Sequence, residues 1–153
     1  MVKTNKLFEV SEIQLIYKSK VKVSERPKIN KSAEAFEVLK EHWNFELIDF
    51  LEQFNVVLLN RANRVLGVVN ISLGGMCGTV ADPKVIFAAA IKSAASSIIL
   101  AHNHPSGNLN PSSADISLTR KIKSGGELLD IVVSDHIIIS RESYYSFADE
   151  GLM

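Results

Sequence analysis

The stretch AHNHPSGNLNPSSAD (residues 101–115) decides how the rest of this chain is read. Two of its four histidines, His102 and His104, stand one residue apart at the end of the apolar run SSIIL, and Asp115 follows the second by eleven positions. A short apolar run closed by Pro105 reads as a strand. In a strand, residues i and i+2 share a face with backbones about 6.5–7 Å apart, so both imidazoles can meet one cation while Asn103 points away. The loop PSGNLNP has the glycine and asparagines needed for tight turning, and it can bring Asp115 back as an oxygen ligand. Two nitrogens and one carboxylate leave a fourth tetrahedral position open. That suits a catalytic zinc better than a structural one, which has four protein ligands.

Each piece also has a plainer reading. Ser112-x-x-Asp115 satisfies most of a capping-box pattern, so Asp115 taken alone reads first as the stabiliser of a helix N-terminus. Any strand can expose two histidines on one face. The specificity lies in the combination, which supplies ligands, loop geometry and a polar donor together. Ser112 can serve twice, capping the helix and donating to a developing oxyanion. Water at such a cation needs a base. Glu52, at the mouth of the apolar strand EQFNVVLLN, is the candidate, although by its own context it is an ordinary strand-edge carboxylate. His136 reads as a core or hydrogen-bonding histidine rather than a ligand. Cys77, in the Gly-rich passage GGMCGTV, reads as a small buried residue. His42 and Trp43 read as the end of an amphipathic helix.

Outward from this stretch the chain alternates strands and helices. VSEIQLIYKSKVKV (10–23) alternates apolar and polar residues as a half-exposed strand does, and Arg26-Pro27 ends it. Ser32 is placed to cap a helix whose Phe36, Leu39 and Trp43 lie on one side. Residues 52–60 read as a buried strand, joined through the turn NRANRV to a second at 65–72. Asp82-Pro83 is a cap followed by a good first helical residue, and Ile86, Phe87, Ala90, Ile91 and Ala94 trace an apolar face. After the strand 96–104 a helix starts near Ser112 and is expected to stop at Gly125-Gly126 in a left-handed cap. LLDIVVS (128–134) and HIIIS (136–140) read as two final short strands. The order β, α, β, β, α, β, α, β, β implies a mixed sheet with helices against it, an α+β fold in three layers, α/β/α.

The length of 153 residues and 46% apolar composition suit one compact unit. The basic arm 1–31 is expected to belong to the same unit as residues 32–153. No apolar run approaches a bilayer span and the start, MVKTNKLFEV, has no leader's apolar region, so a soluble cytoplasmic protein without membrane contact is expected. A single cysteine excludes an internal disulfide and a CxxC site. Seventeen basic and seventeen acidic residues argue against strong non-specific attraction to nucleic acid. Residues 1–32 nevertheless hold seven lysines and Arg26 against Glu9, Glu12 and Glu25, a net +5. Such an arm can touch RNA, DNA or an acidic partner, but the plainer reading is an edge strand guarded by lysines.

HNHPSGNLNPSSAD matches the JAMM motif and so resembles the JAB/MPN+ metalloprotease superfamily. ADPKVIFAAAIKSAASSIILAHNHPSG, SDHIIIS and SYYSFADEG are similar to its RadC-like branch, from about Phe50 to the C-terminus. The resemblance implies a fold like that of cytidine deaminases, a mixed sheet between helices. It also implies one zinc ion on His102, His104 and Asp115, Glu52 as the residue that activates water, and Ser112 as the transition-state donor. The PCxxC signature of deaminases is absent, as is HExxH. Longer RadC-like proteins carry an N-terminal helix-hairpin-helix region regarded as DNA-binding, for which this chain has no room. Lys84-Val85 replaces the Arg-Glu of many relatives. The expected function is hydrolysis of a peptide or isopeptide bond in a protein or peptide substrate, with ubiquitin-like conjugates among the candidates. The alternative is an accessory module in DNA repair or processing that binds nucleic acid or protein without proteolysis. Phosphodiester hydrolysis fits less well, because common nucleases use two metals.

Overall fold

The computed structural model describes residues 10–76 and 78–153. Cys77 and residues 1–9 of the basic arm, on both of which the sequence carries expectations, lie outside the described residues.

Eight regular elements follow a short 3-10 turn at Val23–Glu25: α1 (Ser32–His42), β1 (Gln53–Leu59), β2 (Val65–Leu73), α2 (Pro83–Lys92), β3 (Ser97–His102), α3 (Ser113–Leu128), β4 (Val132–Ile139) and β5 (Tyr144–Ser146). The strands form one mixed sheet in the order β2-β1-β3-β4-β5. β1 pairs antiparallel with β2 and β3, β4 pairs parallel with β3 and antiparallel with β5, and α3 is the crossover that a parallel β3–β4 pair requires. The expected three layers are present, because the period-2 alternation of the central strands splits the core. Val57 and Leu59 of β1 and Ile99 and Ala101 of β3 meet Ala35, Phe36 and Leu39 of α1 on one face. On the other face, Phe54, Val56, Leu58, Ile98 and Leu100 meet Ile86, Phe87 and Ala90 of α2 and Ile122 of α3. Burying each large side chain of this kind is worth about 1.5–3 kcal/mol.

The structure corrects several local expectations. Residues 10–20 form no strand; they are exposed throughout, with Ile13 and Leu15 among the most exposed apolar side chains. Strand pattern without a partner leaves backbone groups to water. Ser32 is not the cap of α1 but its first residue: the cap position is Lys31, and the Ser32 hydroxyl instead bonds Tyr144 and Asp149 at the other end of the chain. Gly125 and Gly126 do not end α3, which runs on to Leu128. A Cβ on Gly126 would lie 2.3 Å from the Ile131 carbonyl oxygen and one on Gly125 2.8 Å from the Phe87 ring, so these glycines allow close approach. The left-handed turn comes later, at Asp130, with φ 54°.

LLDIVVS and HIIIS are not two strands. Val132–Ile139 is continuous, and the strand after it is Tyr144–Ser146, which the sequence reading left out. The polar pair at its centre is accommodated by a bulge: Ile98 pairs with Val133, but the next residue, Ile99, pairs with Asp135. The extra residue, Ser134, shifts the alternation, so that Asp135 faces the α1 side and His136, opposite Leu100, faces the α3 side.

Candidate metal centre

β3 ends at the sheet's C-terminal edge with His102 facing α3, and His104 follows two residues on. The crossover then has to reach α3, whose first turn lies directly over this edge. Its capping box is fully formed: the Ser112 hydroxyl accepts from the Asp115 amide at 3.1 Å, and Asp115 Oδ2 accepts from the Ser112 amide at 2.7 Å. The same carboxylate faces both histidines, with Oδ1 3.2 Å from His102 Nε2 and Oδ2 3.3 Å from His104 Nε2. The two Nε2 atoms are 3.0 Å apart. The helix cap and the approach to both histidines therefore belong to one side chain, and the cap is what holds the carboxylate in place. Among the described residues, His102, His104 and Asp115 form a group whose ligand atoms lie within 4.8 Å of one another.

The donor set suits a divalent cation. His104 Nδ1 lies 2.7 Å from the Asn108 carbonyl, which can only accept, so the ring's hydrogen sits at Nδ1 and a lone pair at Nε2. That lone pair points at a carboxylate and at a second imidazole nitrogen, an arrangement that repels itself unless a positive charge lies between. The hydrogen bond to Asp115 raises the His104 imidazole above its ordinary value, against the opposing effect of burial. Burial alone would push the Asp115 carboxyl up, but His102, His104 and the Ser112 amide hold it well below the usual carboxylate range. Two imidazoles and a carboxylate, preorganised and short of one positive charge, fit a borderline metal such as zinc.

Glu52 reaches the site from β1. Glu52 immediately precedes β1, and Phe54, two residues on, pairs with His102 in the last pair of the β1–β3 ladder. The Glu52 backbone is tied to the Gly-rich turn after β2, through Gly74 N–H to its carbonyl at 2.8 Å and its own N–H to the Gly75 carbonyl at 3.3 Å. Burial raises the Glu52 carboxyl above its ordinary value, opposed by the charges of His102 and His104 and reinforced by Asp115. The Glu52 carboxyl is thus half-buried and coupled in charge to all three residues of the triad. Ser112 is exposed beside the triad, its oxygen occupied as the helix cap and its O–H free to donate.

Two residues lie behind the site: Asn103, to which the sequence reading gives no role, and His136, the expected core and hydrogen-bonding histidine. Asn103 is fully buried on the opposite face and clamps the segment that carries Glu52: its Oδ1 accepts from the Gln53 amide at 2.8 Å, and its Nδ2 donates to the carbonyls of Ile48 at 2.7 Å and Leu51 at 3.0 Å. His136 is also fully buried and lies 2.8 Å, Nε2 to Nδ1, behind His102. Burial, then the neighbouring charge of His102, push the His136 imidazole well below its ordinary value. The signal for Asn103 was available, since a polar residue between two inward histidines must itself be buried in a three-layer fold.

No helix among the described residues is long and apolar enough to cross a membrane. Comparison with known proteins gives a consistent picture. A family model described as the RadC-like JAB domain matches residues 29–152. The chain is 43% identical over 127 residues to a UPF0758 protein of Flavobacterium johnsoniae, covering 82% of this chain and 53% of that one. It is 45% identical over 103 residues to a UPF0758 protein of Porphyromonas gingivalis, covering 67% and 45%. A UPF0758 protein of Alkaliphilus metalliredigens is 44% identical over 102 residues, covering 67% and 44%. The chain thus spans about half the length of the curated relatives it matches.

Proposed function

The chain belongs to the RadC-like JAB domain family, and from that membership and the site's geometry we propose that it is a zinc-dependent hydrolase of amide bonds, peptide or isopeptide. The observation that carries this reading is the convergence of His102, His104 and Asp115 on one point, with the half-buried Glu52 carboxyl near enough to respond to the charge of all three. A zinc ion held there supplies Lewis acidity and lowers the pKa of water. The protein's own groups do the rest. His102 and His104 present Nε2, and Asp115, fixed by the α3 cap, presents a carboxylate oxygen. Glu52, its proton affinity raised by burial, takes the proton of the attacking water and returns it to the leaving nitrogen. The Ser112 hydroxyl donates to the oxygen that gains charge as the carbonyl becomes tetrahedral.

The test compares the zinc-loaded chain with Glu52→Gln on panels of peptides, isopeptide-linked conjugates and nucleic acids. Cleavage of an amide substrate is expected, with a loss on the order of 10²–10⁴ in the variant and unchanged zinc content. No amide cleavage by the wild type, or an undiminished rate in Glu52→Gln, would overturn the proposal. Cleavage confined to nucleic acid would move the activity to phosphodiesters.

One observation favours a second reading, an accessory role in DNA processing. Lys18, Lys20 and Lys22 line an arm that is exposed and tied to the body chiefly near Arg26–Ile29. DNA binding that weakens with salt, disappears on removal of residues 1–31 and is indifferent to His102→Ala would support that role.

A further inference from the structure

Behind the triad lies a buried hydrogen-bonded chain that neither the capping box nor the candidate ligands account for: His102 Nδ1 to His136 Nε2 at 2.8 Å, His136 Nδ1 to Thr119 Oγ1 at 2.6 Å, and Thr119 Oγ1 to the Asp115 carbonyl oxygen at 2.7 Å. We propose that Thr119 and His136 are positioning residues that fix the tautomer of His102, holding its hydrogen at Nδ1 and its lone pair at Nε2, turned toward His104 and Asp115. The proposal deepens the metal reading and rests on it for its purpose, but the hydrogen placement itself does not.

The placement follows from counting hydrogens. Two oxygens 2.7 Å apart repel unless a hydrogen lies between them, and a peptide carbonyl has none to give. The single hydroxyl hydrogen of Thr119 therefore points at the Asp115 carbonyl, one helical turn back on α3. Toward His136, Thr119 can only accept, so His136 carries a hydrogen at Nδ1. His136 is enclosed by the rings of Phe54, Phe147 and His102, with Thr119 and His102 as its side-chain hydrogen-bond partners and no carboxylate bonded to it. A buried imidazolium there would be unpaired, so the ring is neutral and its Nε2 is a bare acceptor. The hydrogen between the two rings must then belong to His102 Nδ1, which makes Nε2 the nitrogen whose lone pair is available to a cation. The Asn108 carbonyl sets His104 the same way from the other side. Metal-bound imidazoles characteristically donate their remote N–H to an acceptor of this kind, usually a carboxylate or carbonyl. Here the acceptor is a third histidine, and the information originates at a backbone carbonyl on α3.

The fold explains why this needs a bulge. Paired without a bulge, Ser134 would lie opposite Ile99 and Asp135 opposite Leu100, and a carboxylate rather than an imidazole would lie behind His102. The bulge sends Asp135 to the opposite face, where Ser146 Oγ–H and the amides of His136 and Ala148 satisfy it at 2.7, 2.7 and 3.0 Å.

The test uses Thr119→Val, which keeps the shape and removes the acceptor, Thr119→Ser, which keeps the acceptor, and His136→Gln, whose amide oxygen can occupy the place of Nε2. Histidine 15N–1H correlation spectra of the metal-free chain report which nitrogen carries hydrogen. Competition with a chelator reports the zinc Kd. Wild type, Thr119→Ser and His136→Gln are expected to show His102 protonated at Nδ1. In Thr119→Val, His136 turns to the opposite tautomer, His102 moves its hydrogen to Nε2, and the zinc Kd rises roughly 10- to 100-fold. Retention of the Nδ1–H tautomer in Thr119→Val, or an Nε2–H tautomer in wild type, would overturn the proposal. A wild type that binds no zinc would defeat the metal reading, and the tautomers of the metal-free chain would still decide this one.

Discussion

Replacing Asn103 by aspartate changes one NH₂ group into an oxygen and nothing in shape. In the native protein that NH₂ donates to the Ile48 and Leu51 carbonyls at 2.7 and 3.0 Å, with no solvent access. In Asn103→Asp both hydrogen bonds are lost, at about 1 kcal/mol each. A carboxylate is also held against two carbonyl oxygens with no countercharge, comparable to a broken buried ion pair at about 3–5 kcal/mol. Relaxation of the 48–51 segment offsets part of this, and the net cost at pH 7.5 is about 4 kcal/mol, a large share of the roughly 5–15 kcal/mol that keeps a domain folded. With a urea m value of about 2 kcal/mol/M, the unfolding midpoint falls by about 2 M. The cost has a definite pH dependence. The introduced carboxyl is driven above its unfolded value of about 3.9, because only its protonated form can donate to Ile48. Its contribution is thus fully favourable below about pH 3.9 and is lost as pH rises through the raised native value. The gap between wild type and variant should narrow on going from pH 7.5 to pH 5. A midpoint within about 0.3 M of wild type, or a gap equal at both pH values, would refute the assignment of Asn103 as the clamp behind Glu52.

Three further outcomes are expected. Burial raises the Asp135 carboxyl above its ordinary value of 3.8 despite three hydrogen bonds. Its contribution is therefore full below about pH 3.8 and lost as pH rises through the native value, and the stability of wild type relative to Asp135→Asn should fall over that interval in urea titrations. Gly126→Ala, whose Cβ would meet the Ile131 carbonyl at 2.3 Å, should lower stability by about 1–3 kcal/mol in thermal melts, even though alanine is the better helix former. Ser112→Ala should cost about 1 kcal/mol of stability through the lost cap and, separately, on the order of 10²-fold in kcat through the lost donor. A rate loss no larger than the cap accounts for would remove the oxyanion role.

The site was legible where chemistry is local. His-x-His at a strand end and Ser-x-x-Asp at a helix start each fix geometry within a few residues, and β3 and α3 carry them as the spacing implies. What escaped the sequence depends on partners far along the chain. Asp135-His136 looked like a break between strands because two polar residues rarely sit mid-strand. They do so here because Ser146, Ala148, Thr119 and His102 satisfy them from elsewhere. Gly125-Gly126 carries the local signature of a helix stop, and only the approach of Phe87 and Ile131 shows another use. Ser32 is a good capping residue by type, yet long-range bonds to Tyr144 and Asp149 engage its hydroxyl. The alternation of residues 10–23 is a real strand pattern, but no described strand pairs with it.

The account depends on a cation held by two imidazoles and a carboxylate, and metal stoichiometry tests that most directly. Elemental analysis and zinc titration of the chain, purified without a metal-binding tag, should give one equivalent per chain in the wild type. His102→Ala, His104→Ala and Asp115→Ala should each lose it, while Glu52→Gln retains it. A wild type that takes up no divalent metal, or variants that bind as well as it does, would contradict the account.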